Sequence, residues 1–289
     1  MRMPPIGFGC SPFRPGGRRV DLEGAVRSAV TTGYHLFDLA ELYGNERTVG
    51  RALRLAPRSD LFLVGKAWRT SFRPAALRRA CEDSLLRLGI EAFDLYLLHA
   101  PEAWKHSGPL GEPEEAGWKE FERRAVPRDA QGEIELDPVP LAETWEAMRD
   151  LAQRGLTEGV GVSNFGLEHL DALGPERPAV NQIAHSPYKP NGDVVDCCRQ
   201  WGIGLMAHSP LSAAGLLAEP VLAELAGRHQ CTPAQVVLRW NLARGLVPLP
   251  SSSDPVHLAE NLRAVDGELD PAALAAGDSL AARAVDSPR

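Results

Sequence analysis

Four side chains able to take part in proton transfer fall at or just past the ends of three successive apolar runs: Asp38 and Tyr43, then Lys66, then His99. An acid at the carboxyl end of a buried strand is costly unless a cation or hydrogen-bond donor meets it. Lys66, one run further on, is the expected partner of Asp38. A free tyrosine titrates at about 10, too high for an efficient acid near neutrality. A neighbouring ammonium is expected to favour the phenolate and lower that value. His99 can then hydrogen-bond and orient a substrate oxygen, so that the set is aimed at a carbonyl that becomes an alkoxide. The set contains no strong nucleophile and no metal cage, so the electron pair must come from elsewhere, and a hydride from a reduced nicotinamide fits. Taken singly, each residue has a plainer role: a cap for Asp38, loop packing for Tyr43, a solvated strand end for Lys66, a structural histidine for His99. Their joint placement on neighbouring strand ends favours chemistry.

Such placement needs a scaffold of alternating elements, and the chain supplies one. Strand-like runs cover residues 6–9, 34–37, 61–65, 93–98, 159–162, 179–184, 203–207 and 246–248. Helical patterns fill 21–32, 46–55, 74–88, 141–154, 165–173, 193–201, 220–229, 233–244 and 255–264, with Asp21 as an N-cap and Gly33 and Gly89 as stops. Eight strand–helix units in a chain of this length predict an α/β fold, a (β/α)8 TIM barrel, as a single domain over residues 1–289. An open doubly wound sheet would call for a Gly-rich phosphate loop after its first strand, and Gly7-Phe8-Gly9-Cys10-Ser11-Pro12 is not one. Residues 100–140 form a long loop after the fourth strand, rich in Gly, Pro, Glu and Arg, which is expected to serve function.

The net charge of −7 argues against nucleic acid or an anionic membrane as partner. No apolar run reaches transmembrane length and the N-terminus lacks a signal-peptide core, so a soluble cytoplasmic protein is expected. The five cysteines, Cys10, Cys81, Cys197, Cys198 and Cys231, imply no disulfide framework, and no histidine shows metal-ligand spacing.

Six motifs in order carry a resemblance over nearly the whole length: Asp38-Leu39-Ala40-Glu41-Leu42-Tyr43-Gly44-Asn45-Glu46, Gly65-Lys66-Ala67-Trp68, Leu97-Leu98-His99-Ala100-Pro101, Gly161-Val162-Ser163-Asn164-Phe165, Asn181-Gln182 and His208-Ser209-Pro210-Leu211. The sequence resembles an aldo-keto reductase. That resemblance implies a (β/α)8 barrel that reduces aldehydes or ketones, with Tyr43 as general acid, Lys66 and Asp38 tuning it, and His99 orienting the carbonyl. It implies that Ser163, Asn164 and Gln182 hold the nicotinamide carboxamide, that Ser209 and Leu211 lie along the pyrophosphate, and that Glu260 and Asn261 contact the adenine. A plainer role for Ser163 or Asn164 is a helix N-cap. A monomer and a small-molecule carbonyl substrate are expected.

The sequence departs from the family pattern in three places. His208 stands where many members stack a tyrosine on the nicotinamide. The phosphate-reading stretch is Leu249-Pro250-Ser251-Ser252-Ser253, with His257 where an arginine is usual. Hydroxyls and an imidazole make a weaker anion site than Lys and Arg, although the helix opening near Pro255 adds backbone donors. NADPH is the first expectation, with NADH as the alternative. Ala100 replaces a common tryptophan and is expected to widen the pocket floor. Phe13, Trp68 and Trp104 are expected to line it, with Trp118 in the same loop wall. Two other functions fit the pattern: a regulatory barrel that binds coenzyme with negligible turnover, and a lyase or isomerase that recycles bound coenzyme.

Overall fold

The computed structural model describes residues 3–11 and 21–286. Its core is one eight-stranded parallel sheet in sequential order: β1 (Gly7–Gly9), β2 (Leu36–Asp38), β3 (Phe62–Ala67), β4 (Phe93–Leu98), β5 (Thr157–Ser163), β6 (Val180–Ala184), β7 (Gly204–His208) and β8 (Leu246–Leu249). The Gly9 N–H donates to the carbonyl of Pro250 at 3.0 Å, bringing the first strand to the last and curling the sheet into a barrel.

Twelve α-helices are described: α1 (Leu22–Thr32), α2 (Glu46–Leu53), α3 (Pro74–Leu88), α4 (Pro113–Ala116), α5 (Trp118–Ala125), α6 (Leu141–Gln153), α7 (Leu167–Ala172), α8 (Gly192–Gln200), α9 (Pro220–Arg228), α10 (Pro233–Ala243), α11 (Pro255–Leu262) and α12 (Pro271–Asp278). Their ends follow local chemistry. Asp21 caps α1 through the Gly24 N–H, and left-handed Gly33 and Gly89 close α1 and α3. The cap expected at Ser163 or Asn164 is not there: α7 opens at Gly166, two residues past Asn164. The Ala-rich tail holds the unforeseen helix α12, capped by Asp270, whose Ala273 packs with Leu269, Leu280 and Trp240. No helix is long and apolar enough to cross a membrane among the described residues.

Strand periodicity sets the interior. Leu36, Phe62, Val64, Leu95, Leu97, Val180, Met206 and Leu249 fill the barrel, while their neighbours Phe37, Leu63, Tyr96, Leu98, Ile183, Leu205 and Ala207 pack outward under the helices. Two residues further along five of these strands, the same inward face carries Asp38, Lys66, His99, Gln182 and His208. The apolar filling therefore ends in a polar layer at the carboxyl face, where sites in such barrels form.

Five strands, β2, β3, β5, β7 and β8, end later than the sequence pattern placed them. Asp38 and Lys66, expected at or just past the strand ends, are strand residues, because ladder hydrogen bonding extends past the apolar run. The segment 100–140 is built, not structureless. It contains α4 and α5 and antiparallel bridges at Trp104–Leu136 and Arg128–Ile134.

Candidate active site

Lys66 is enclosed, and its Nζ lies 2.6 and 2.7 Å from the two oxygens of the equally buried Asp38. It also donates to the Leu39 carbonyl at 2.9 Å and meets the Tyr43 hydroxyl at 3.3 Å. The remaining demand of the Asp38 carboxylate is met by the Gln182 amide, which donates to it at 2.7 Å from the far wall of the barrel. Sequence reasoning missed this bond, since nothing local links two residues 144 positions apart. Tyr43 reaches the layer on a single 3-10 turn, Glu41–Tyr43, closed by Gly44 at φ 58°. A side chain at Gly44 would meet Pro113 Cδ at 2.6 Å, so the turn needs glycine both for its backbone and for this close approach.

The electrostatics differ from expectation in one respect. Tyr43 is held well above its usual range by burial first, and then by the charge of Asp38 and the neighbouring Cys10. The Lys66 ammonium does not offset this rise, being held by Asp38 at 2.6 and 2.7 Å, closer than the phenol at 3.3 Å. Burial lowers Lys66, and Asp38 opposes that shift. His99 falls well below its usual value through burial, reinforced by Lys66, His208 and Arg69, so its ring is neutral at neutral pH. Its Nδ1 is enclosed without a partner among the described residues. A buried orphan acceptor costs less than a buried orphan N–H, which puts the proton on Nε2.

The wall beside these groups is aromatic. The Trp68 ring lies edge-on to His99 at 4.9 Å and to Trp104 at 5.4 Å, and its indole N–H is satisfied by the Ala125 carbonyl at 2.7 Å. The Arg69 guanidinium covers Trp104 at 4.6 Å. Leu110, Phe121 and Ala125 from the long segment complete the cluster, and the sequence pattern did not single them out. Trp118 is 57% exposed and meets the wall only through its edge-on contact with Phe121 at 6.0 Å, among the described residues. Ala100 is enclosed, at 2% exposure. Phe13 lies outside the described residues.

Around the rest of the rim, Asn164 and Ser209 both take left-handed backbone, at φ 61° and 54°, a strain that clusters at functional sites. They flank His208, whose Nε2 lies 2.9 Å from Asn164 Oδ1 and whose Nδ1 lies 3.2 Å from Ser209 Oγ. Burial, then Lys66 and Lys189, lowers His208 to about 4. The Asn164 amide donates to the His99 carbonyl and to Ser163 Oγ, and Ser163 in turn donates to the Gln182 carbonyl at 2.9 Å. Ser163 thus bonds to the barrel wall, and the Gln182 side-chain nitrogen is engaged by Asp38. Leu211 is half-buried between two apolar clusters.

At the start of α11, Ser251 and His257 are exposed, Ser252 is buried, and Asp254 caps the helix through the Val256 N–H at 2.8 Å. Ser252 Oγ accepts from the Asp254 N–H at 3.1 Å. The backbone donors expected to be open at this helix start are in part taken by these two side chains, and one of them is an anion. Glu260 is half-buried and Asn261 is buried on the same helix.

The sequence profile of the Aldo/keto reductase family matches residues 5–282. Aldo-keto reductase family 1 member A1-A of Danio rerio is 33% identical over 288 residues, covering 93% of this chain and 83% of its own. Aldose reductase B of Dictyostelium discoideum is 34% identical over 278 residues, covering 92% and 85%. The solved aldose reductase of Schistosoma japonicum superposes with a TM-score of 0.86 at 33% identity, over 96% of this chain and 89% of that one. That of Giardia lamblia gives 0.84 at 28% identity, over 96% and 92%. Barrel, polar layer and relatives agree: the chain belongs to the aldo/keto reductase family, oxidoreductases that act on carbonyls with NAD(P)H.

Proposed function

We propose that this chain reduces an aldehyde or ketone to an alcohol as one barrel domain, with Tyr43 as the proton donor. The observation that carries the reading is the Lys66 ammonium, bonded at once to Asp38 and to the Tyr43 hydroxyl beneath an aromatic wall. A reduced nicotinamide, when bound, supplies the hydride. The residues present fit it: Gln182 brings a side-chain amide to the polar layer, and Asn164 and His208 can exchange their mutual bond for one to the ring or its amide.

The raised Tyr43 suits the task, because it keeps the phenol protonated until an alkoxide develops. An alkoxide is the stronger base, so proton transfer from Tyr43 to the substrate oxygen is downhill. The tyrosinate left behind faces the Lys66 ammonium, which then stabilises it. Neutral His99 donates from Nε2 to the same oxygen and fixes the carbonyl's approach. Trp68 has its only polar group satisfied, so the wall favours an aromatic or medium-sized aliphatic carbonyl over a highly hydroxylated one.

Ser251, Ser252 and His257 offer no permanent cation to a 2′-phosphate, and Asp254 adds a negative charge beside them. NADH is therefore proposed to bind at least as well as NADPH. The test is coenzyme oxidation with an aromatic aldehyde, compared with Tyr43→Phe. Loss of turnover with intact coenzyme binding supports the reading, and full activity in the variant overturns it.

A further inference from the structure

Glu41 opens the turn that delivers Tyr43, yet its side chain reaches away to the segment after β3. It is 2% exposed. Its Oε2 accepts from the backbone N–H of Trp68 at 3.0 Å, and the Ser71 hydroxyl lies 3.2 Å from both carboxyl oxygens. We propose that Glu41 is a positioning residue that ties the turn bearing the proton donor to the aromatic wall, acting through Tyr43 on one side and Trp68 on the other. The proposal rests on the reading of Tyr43 as proton donor.

The tie is made with neutral donors. Among the described residues no cation forms an ion pair with Glu41; the nearby Arg87 is bonded to Glu46 at 2.7 Å. Burial pushes Glu41 up to about 7, helped by the charge of Glu46 and opposed by Trp68, Arg87 and Ser71. The thiol of Cys81 and the phenol of Tyr96 also face this charge, both held protonated by burial. Glu41 is not sealed from protons. It lines a cavity of about 340 Å³ with Ser71, Arg87, His106 and Leu110. Arg73, Arg79 and Asp83 stand on the same cavity, but the two arginines are paired, with Asp137 and Asp83 respectively.

A carboxylate accepts strongly from the Trp68 N–H, whereas a carboxylic acid accepts weakly and must place its own proton. The bond between turn and wall therefore strengthens as pH rises through about 7. A substrate held against Trp68 and protonated by Tyr43 is aligned best on the alkaline side.

The test compares wild type with Glu41→Gln and Glu41→Asp as full-length chains with coenzyme, by steady-state kinetics across pH 7. Wild-type KM should fall with rising pH through a bend near 7. Glu41→Gln should lose the bend and hold KM about tenfold higher on the alkaline side, the equivalent of a charged acceptor traded for a neutral one. The change in kcat should be smaller, and Glu41→Asp should keep a bend. A purely structural role would lower the melting temperature of Glu41→Gln and leave the bend in place, which would overturn the proposal.

A second readout needs no turnover. Tryptophan fluorescence should titrate near pH 7 in wild type, and in neither Glu41→Gln nor Trp68→Phe. Absence of that titration in wild type also refutes the tie. If no carbonyl is reduced but the titration appears, the tie stands and the reading of Tyr43 fails.

Discussion

Asp38→Asn removes one negative charge and little volume from the centre of the site. In wild type the carboxylate meets Lys66 at 2.6 and 2.7 Å and Gln182 at 2.7 Å, with both members of the ion pair under 5% exposed. Taking away one partner of a buried pair costs about 3–5 kcal/mol, because the other charge is left unpaired out of water. Lys66 can limit that loss by shedding its proton, to which burial already predisposes it. Its folded pKa would then fall far below its unfolded value of about 10.4, so the unfolded chain would bind the extra proton and stability would rise with pH between those two values. The expectation is a loss of about 3 kcal/mol at pH 7 that shrinks as pH approaches 10, at up to about 1.4 kcal/mol per unit. Denaturant unfolding at several pH values reads this directly, and the double variant Asp38→Asn with Lys66→Met should recover much of the loss. A loss under about 1 kcal/mol with the pH dependence of wild type would mean that Asp38 does not hold Lys66 charged, and the account of the site would be wrong.

Two further outcomes follow from local geometry. Gly44→Ala should destabilise the chain by about 1–3 kcal/mol and lower kcat, since it combines a left-handed backbone at φ 58° with a clash against Pro113, and thermal unfolding with kinetics would show both. His257→Arg should tighten NADPH about tenfold relative to NADH by supplying a guanidinium for a phosphate, measured as the ratio of their dissociation constants; an unchanged ratio would place the phosphate elsewhere.

The polar layer was legible because strand alternation is local: apolar runs ending in Asp38, Lys66 and His99 announce both the strands and the face their ends present. What the pattern could not show were bonds across the barrel. The sequence offers Gln182 only as a ligand of coenzyme; the curled sheet also sets its side-chain amide against Asp38. Glu41 has no assigned role in the sequence pattern, and only folding buries it with its carboxyl group on the Trp68 N–H. The Tyr43 phenol was expected to shift down and shifts up, because burial, which the sequence does not display, outweighs the neighbouring ammonium. The helix α12 was missed for a different reason: a run so rich in alanine carries almost no contrast between its faces.

The long segment after β4 touches the site in two ways. Its Phe121, Leu110 and Ala125 build the wall, while its Pro113 presses on Gly44 and its buried Glu112 accepts from the Arg47 N–H at 2.9 Å. A single segment thus both builds the aromatic wall and braces the turn that bears Tyr43. Loops on barrels are commonly regarded as exchangeable parts that alter selectivity and leave chemistry alone. Here the two are mechanically joined, so a transplanted segment that lacks a proline and a carboxylate at those two points would change what is admitted and at the same time release the phenol from its aim.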